Sequence, residues 1–94
     1  MNPIFYQLAE NVLFQRVADE TVILEPETGE YYTLNAIGTF MVEQFQQKNT
    51  IEAVIALVLE NYQAEEAEVT QDIEELLTNM LKQGLFVKVD KLHG

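Results

Sequence analysis

The groups in this chain best able to do chemistry are carboxylates, sixteen Asp and Glu in all, and two sets of them lie close enough in sequence to act together. One is Glu65-Glu66-Glu68; the other is Asp72 with Glu75. Two carboxylates in different surroundings can serve as general acid and general base. The first set reads more simply as the start of a helix, where negative charge meets the positive end of the dipole. Asp72 is three residues before Glu75 and one residue off an apolar stripe, so it borders the packing face of its helix. A solvated or capping role and a ligand contact both remain open for it. Tyr31 and Tyr32 pose a related choice: strand neighbours point to opposite faces, so one is core and the other is available to a partner. The thioethers of Met41 and Met80 read as gap-fillers in a core, and Gly38 as a site of close backbone packing.

Much other chemistry is excluded. The only imidazole is His93 and there is no Cys, so neither a nucleophile with its base nor a thiolate metal site can be assembled, and no enzyme activity or metal is expected. A calcium loop is missing, and glycine occurs only at Gly29, Gly38, Gly84 and Gly94, too sparse to cradle a phosphate, so no cofactor is expected. A formal net charge of −11 is the wrong sign for neutralising nucleic-acid phosphates or docking on anionic lipid. No apolar run approaches the roughly 20 residues that span a bilayer, and the N-terminus has no signal-like pattern. The expectation is a cytoplasmic protein that binds neither nucleic acid nor membrane.

Ninety-four residues make one small domain, which buries about 60% of its unfolded surface and has little room for a deep catalytic cleft. Between Val12 and Leu34, short β-type runs alternate with turn chemistry. The strands are Val12–Val17, Thr21–Glu25 and Glu30–Leu34, with Pro26-Glu27-Thr28-Gly29 as the second turn. Connections this short join antiparallel neighbours into a meander of order one, two, three. Val22 and Leu24 then share one face and Ile23 the other, while Tyr32 and Leu34 oppose Tyr31 and Thr33. The apolar period next changes to 3.6. Asn35 caps a helix to about Gln47, Thr50 caps a second that closes at Tyr62, and a third runs from Glu65 until Gly84 stops it as a C′ residue. Leu85–Val89 is a final β-like run. The domain is expected over 12–89, with 90–94 as a tail. Residues 1–11, apolar at Ile4, Phe5, Tyr6 and Leu8 but without a period, read as an extension that is either a docked arm or an oligomer contact. A monomer and a homodimer are both open.

The stretches VILEPETGEYYTLNAIGTFMVEQF and VTQDIEELLTNMLKQGLF resemble the PqqD family of small peptide-binding proteins over roughly residues 12–89. The resemblance rests most on Tyr32-Thr33-Leu34-Asn35 with Gly38, on Asp72 within Val69-Thr70-Gln71-Asp72-Ile73, and on Leu81-x-x-Gly84-Leu85-Phe86. It implies an α+β, winged helix-turn-helix-like fold: a three-stranded antiparallel sheet followed by three helices and a short C-terminal strand. It also implies a stand-alone, non-catalytic recognition element for ribosomally made, post-translationally modified peptides, as in pyrroloquinoline quinone and lasso-peptide biosynthesis. Such a protein binds a precursor's leader peptide and presents it to a modifying enzyme, whether a radical SAM enzyme or a leader peptidase and cyclase.

Edge position in the meander supports that mode independently, because the third strand carries unpaired backbone groups that can receive a peptide strand. By resemblance, the strand wall of the groove is Glu30, Tyr31, Tyr32, Thr33 and Leu34, and the helix wall is Asp72, Leu76, Asn79, Met80 and Gln83. Asp72 is expected to bond a leader donor, with Leu76, Met80 and one tyrosine lining apolar pockets. Either Asp72→Ala or Leu76→Glu should weaken leader binding about tenfold or more, on the order of 1.4 kcal/mol, with the fold intact. Lys48 is the only cation between Arg16 and Lys82, and so acidic a surface would steer a leader that is neutral or basic near its anchors, or a basic patch on the enzyme. A winged-helix DNA binder would share the architecture, but its third helix should be basic, and this one carries Glu66, Glu68, Asp72, Glu74 and Glu75. The alternative is a structural protein-protein interaction module or accessory subunit of winged-helix fold that binds no leader.

Overall fold

Two turns of different chemistry fold residues 13–34 into a meander of β2 (Leu13–Val17), β3 (Glu20–Leu24) and β4 (Tyr31–Leu34), preceded by a strand β1 (Ile4–Leu8). The computed structural model describes residues 4–90. At the first turn Val17 pairs with Glu20 across two residues, and Ala18 takes a left-handed φ of 57°. At the second, the Gly29 N–H donates to the Glu25 carbonyl and the Glu25 N–H donates to the Glu30 carbonyl, both at 2.8 Å. That pair of bonds defines a bulge with glycine in its left-handed position, and Gly29 has φ 78° there. The Glu25 carboxylate steadies the turn by accepting from the N–H groups of Glu27 and Thr28.

The strand register sets the two faces. Ile23 lies opposite Phe14 and Tyr32, and Thr21 lies opposite Arg16 and Leu34. Period two then turns Ile23, Tyr32 and Leu34 toward the helices and Leu13, Val17, Val22 and Tyr31 away from them. Burial follows: Ile23 and Leu34 are buried, whereas Val17 and Tyr31 are 62% and 63% exposed. The expected order and face assignment both hold.

Three helices cover the inner face: α1 (Ala36–Gln46), α2 (Ile51–Asn61) and α3 (Glu66–Lys82). Asn35 accepts from the Gly38 N–H at 2.8 Å and Thr50 from the Ala53 N–H at 3.2 Å, so the two expected caps close the first turns of α1 and α2. At the end of α3, the Gly84 N–H reaches the Leu81 carbonyl and the Leu85 N–H reaches the Met80 carbonyl, with Gly84 at φ 75°. This is the expected glycine stop. The core joins Ile23 and Leu34 of the sheet to Met41, Val42 and Phe45 of α1, Val54 and Val58 of α2, and Ile73, Leu77 and Met80 of α3. Each fully buried side chain of this size contributes about 1.5–3 kcal/mol. One polar contact is sealed inside: the Thr39 hydroxyl donates to that of Thr21 at 3.0 Å.

One strand was not foreseen. Residues 4–8, left open between docked arm and oligomer contact, pair antiparallel with β5 (Phe86–Asp90), Ile4 opposite Asp90 and Leu8 opposite Phe86. Tyr6 stands edge-on to Phe45 at 5.8 Å, and Phe45 edge-on to Phe86 at 6.0 Å, so the arm docks through an aromatic chain. The Leu8 N–H donates to Gln46 Oε1 at 2.8 Å. Residues 1–3, the stretch 91–94 and with it His93 lie outside the described residues. No described helix is long and apolar enough to cross a membrane.

Candidate functional site

The site is built on the backbone of β4. The Glu25 to Glu30 bond starts the β3–β4 ladder, and antiparallel bonding alternates residue by residue. Tyr32 and Leu34 therefore direct their N–H and C=O groups to β3, and Tyr31 and Thr33 direct theirs outward. No further strand covers that edge among the described residues. Beyond it stands α3, and between the two lies a cavity of about 450 Å³ lined by Tyr32, Thr33, Leu34, Asn35, Ile37, Gly38 and Met41 together with Glu20, Asp72, Glu75 and Leu76.

Helical spacing orders the α3 wall. Asp72, Leu76, Asn79 and Gln83 follow one another along one stripe at intervals of three and four residues. Asp72 lies at the end of the groove shared with Leu34 and Asn35. Asn79 Nδ2 stands 3.5 Å from the Tyr32 hydroxyl, which ties the wall to the strand farther along. At the end of the stripe, Gln83 Oε1 is buried without a hydrogen-bond partner among the described residues. On the strand side, Gly38 is where glycine matters sterically. A Cβ there would stand 3.3 Å from both Asn35 Oδ1 and Leu34 Cδ2, crowding the cap and the groove floor together.

Of the residues picked from the sequence, Tyr32, Thr33, Leu34, Asp72 and Leu76 line this one cavity, with Asn79 beside it. Others are placed differently. Glu30 precedes β4, and its backbone is already engaged, the carbonyl by Glu25 and the N–H by Thr28 Oγ1. Tyr31 offers its backbone to the edge but turns its ring to the outer face, while Tyr32 is half-buried against the core, as the alternation requires. Met80 has no exposed surface and packs in the core beneath the groove. Leu76 is 5% exposed, so Leu76→Glu would bury a charge in the core, and the expectation that such a variant keeps its fold is withdrawn. Sequence reasoning did not assign Glu20, Ile37, Met41 or Glu75 to the groove. Ile37 and Met41 carry the helical period that marks core, and no local signal brings Glu20 to α3.

The signature Tyr32-Thr33-Leu34-Asn35 with Gly38 thus forms the strand side and cap of the groove, and a family model described as coenzyme PQQ synthesis protein D matches residues 20–85. The chain belongs to the PqqD family. The matched span holds β3, β4 and all three helices, and leaves the β1–β5 pair outside it. Two solved structures are similar to it. One, titled TbiB1 in complex with the TbiA(beta) leader peptide, shares 21% identity at a TM-score of 0.76, covering 85% of this chain and 93% of that one. The other, lasso peptide synthetase B1 complexed with the leader peptide, shares 21% identity at a TM-score of 0.78, covering 87% and 96%. The likeness establishes the α+β, winged helix-turn-helix-like fold expected of a PqqD protein. Comparison with curated proteins gave no match.

Proposed function

We propose that this PqqD protein is a non-catalytic recognition element that captures the leader of a ribosomally made precursor peptide by strand addition to β4 and presents it to a modifying enzyme or leader peptidase. The observation that carries this reading is the unpaired edge of β4, where the backbone groups of Tyr31 and Thr33 point away from β3 and an open groove toward α3 begins at Tyr32, Thr33 and Leu34. Membership of the PqqD family and the leader peptides bound to both similar structures support it. In this mode Tyr31 and Thr33 hold the leader through main-chain bonds. Alternate leader side chains enter the groove over Leu34, Leu76 and the Tyr32 ring, and Asp72 accepts from a leader donor. Asn79 and Gln83 supply polar contacts farther along, with Met80 beneath them. A leader antiparallel to β4 enters at the Asp72 end and leaves past Gln83, so the core peptide emerges beside the end of α3.

The test is a fluorescence-polarisation titration with labelled leader segments from precursor-like reading frames beside the gene, against scrambled controls. Binding in the sub-micromolar to micromolar range, with loss of hydrogen exchange at the Tyr31 and Thr33 amides, is the expected outcome. A second reading is favoured by the outer sheet face, where Leu13, Val17, Val22 and Tyr31 are exposed together. In that reading the chain is an accessory subunit that docks on a folded protein and binds no leader. Failure of every segment to bind above its scrambled control would favour it.

A further inference from the structure

The groove is not uniform along its length, and the difference specifies what its occupant must carry. Its middle is apolar, with Leu34, Ile37, Met41 and Leu76 around the cavity. The end toward Asn35 gathers three carboxylates from two separate stretches of chain, Glu20 at the start of β3 and Asp72 and Glu75 on α3. Among the described residues no lysine or arginine lines this cavity, and the salt bridge found among them, Arg16 with Glu43, joins other groups. Carboxylates gathered around an open strand edge lower the potential where a peptide would lie, and a like-charged side chain placed there is repelled.

Resting on the leader-binding reading, we propose that this groove selects leaders with a lysine or arginine just N-terminal to an apolar anchor, at the preceding groove-facing position. The register follows from the strand. In an antiparallel peptide paired through Tyr31 and Thr33, the residues opposite Leu34 and Tyr32 turn their side chains into the groove. The one opposite Leu34 meets the apolar floor and is the anchor. Two residues earlier the peptide side chain again points inward, now beyond Leu34 and beside Glu20, Asp72 and Glu75. A long cationic side chain reaches carboxylates there, while an acidic one adds a fourth negative charge. The occupant is thus an extended peptide with the pattern cation, any residue, apolar residue.

Selection of random dodecapeptides on the full-length chain tests this, with the amides of Tyr31 and Thr33 followed by hydrogen exchange for each peptide recovered. Lysine and arginine should be enriched about fivefold two residues before the anchor, and replacing that cation by glutamate should weaken binding about tenfold at low salt and much less at high salt. The variant carrying Asp72→Asn and Glu75→Gln should bind peptides while losing this discrimination. Peptides that protect both amides but show no cationic preference would overturn the inference and leave leader binding standing. So would an unaltered preference in the double variant. If no recovered peptide protects the two amides, strand addition to β4 fails, and the inference fails with it.

Discussion

The two outer edges of the three-stranded sheet present similar unpaired backbone and differ in what stands beside them. At the β2 edge the alternation turns the backbone groups of Phe14 and Arg16 outward; at the β4 edge it turns those of Tyr31 and Thr33. Beside β2 the chain supplies its own cation. Arg16 Nη1 meets Glu43 Oε2 of α1 at 2.6 Å, and a cavity of about 580 Å³ beside Phe14 is lined by Leu8 of the arm with Glu43, Gln46 and Gln47. Beside β4 a helix wall stands off at groove distance, and its carboxylates Asp72 and Glu75 join Glu20 with no lysine or arginine lining the groove among the described residues. An exposed edge alone is therefore a poor predictor of a strand-binding site. Both edges have a cavity against a helix, and what distinguishes β4 is carboxylate charge still to be matched.

The sharpest way to break this comparison is Thr33→Pro. Proline at 33 removes an outward N–H that takes no part in the ladder to β3, a position where an edge strand tolerates it. Leader affinity should fall by about 2 kcal/mol, roughly 30-fold, as one main-chain bond is lost and the ring blocks the approach. Thermal unfolding measured on the same sample should show a cooperative transition. Undiminished binding would mean that β4 is not the receiving edge. Next in size is Asp72→Ala, expected to weaken a leader about tenfold, near 1.4 kcal/mol. Because Asp72 is exposed, its unfolding midpoint should match that of the parent chain. A titration showing equal affinity would locate the polar anchor elsewhere on the stripe.

How much of this was legible in the sequence depends on whether the signal was local. Pro26 and Gly29 bracket their own turn, and Asn35, Thr50 and Gly84 sit within a few residues of the groups they bond, so the meander and the helix ends could be read directly. The strand at Ile4–Leu8 could not, because its partner Phe86–Asp90 lies at the other end of the chain and five residues show too little period. The groove divides in the same way. Asp72 and Leu76 were reached through family resemblance and helical spacing, whereas Glu20 meets α3 only once β3 has been placed between β2 and β4. Ile37 and Met41 illustrate a different limit. A helical period marks a residue as inward-facing and cannot tell a sealed core from the floor of a groove.

The helix ends offer a smaller test, one that separates stability from recognition. α1 closes as α3 does, with Lys48 N–H bonded to the Phe45 carbonyl and Asn49 N–H to that of Gln44, but its left-handed residue is Lys48 at φ 67° where α3 has Gly84. Relieving that conformation with Lys48→Gly should raise stability by about 0.5–1 kcal/mol in urea unfolding. The residue lies away from the groove, so leader affinity should stay constant. A change in affinity would couple the α1 terminus to the site.

The smallest effect bears most directly on the two edges. Arg16→Ala removes a half-exposed ion pair and should cost about 0.2–1 kcal/mol, less at high salt. It also leaves Glu43 unmatched beside the open backbone of Phe14, so the β2 edge, which already has a cavity against α1, comes closer to the β4 edge in charge. Calorimetric titration with a saturating leader should still give one peptide per chain, because the cavity beside β2 offers one carboxylate, Glu43, where the β4 groove has Glu20, Asp72 and Glu75 among its lining residues. Two peptides per chain would mean that an open edge and a free carboxylate suffice, and that Arg16 keeps the second edge closed.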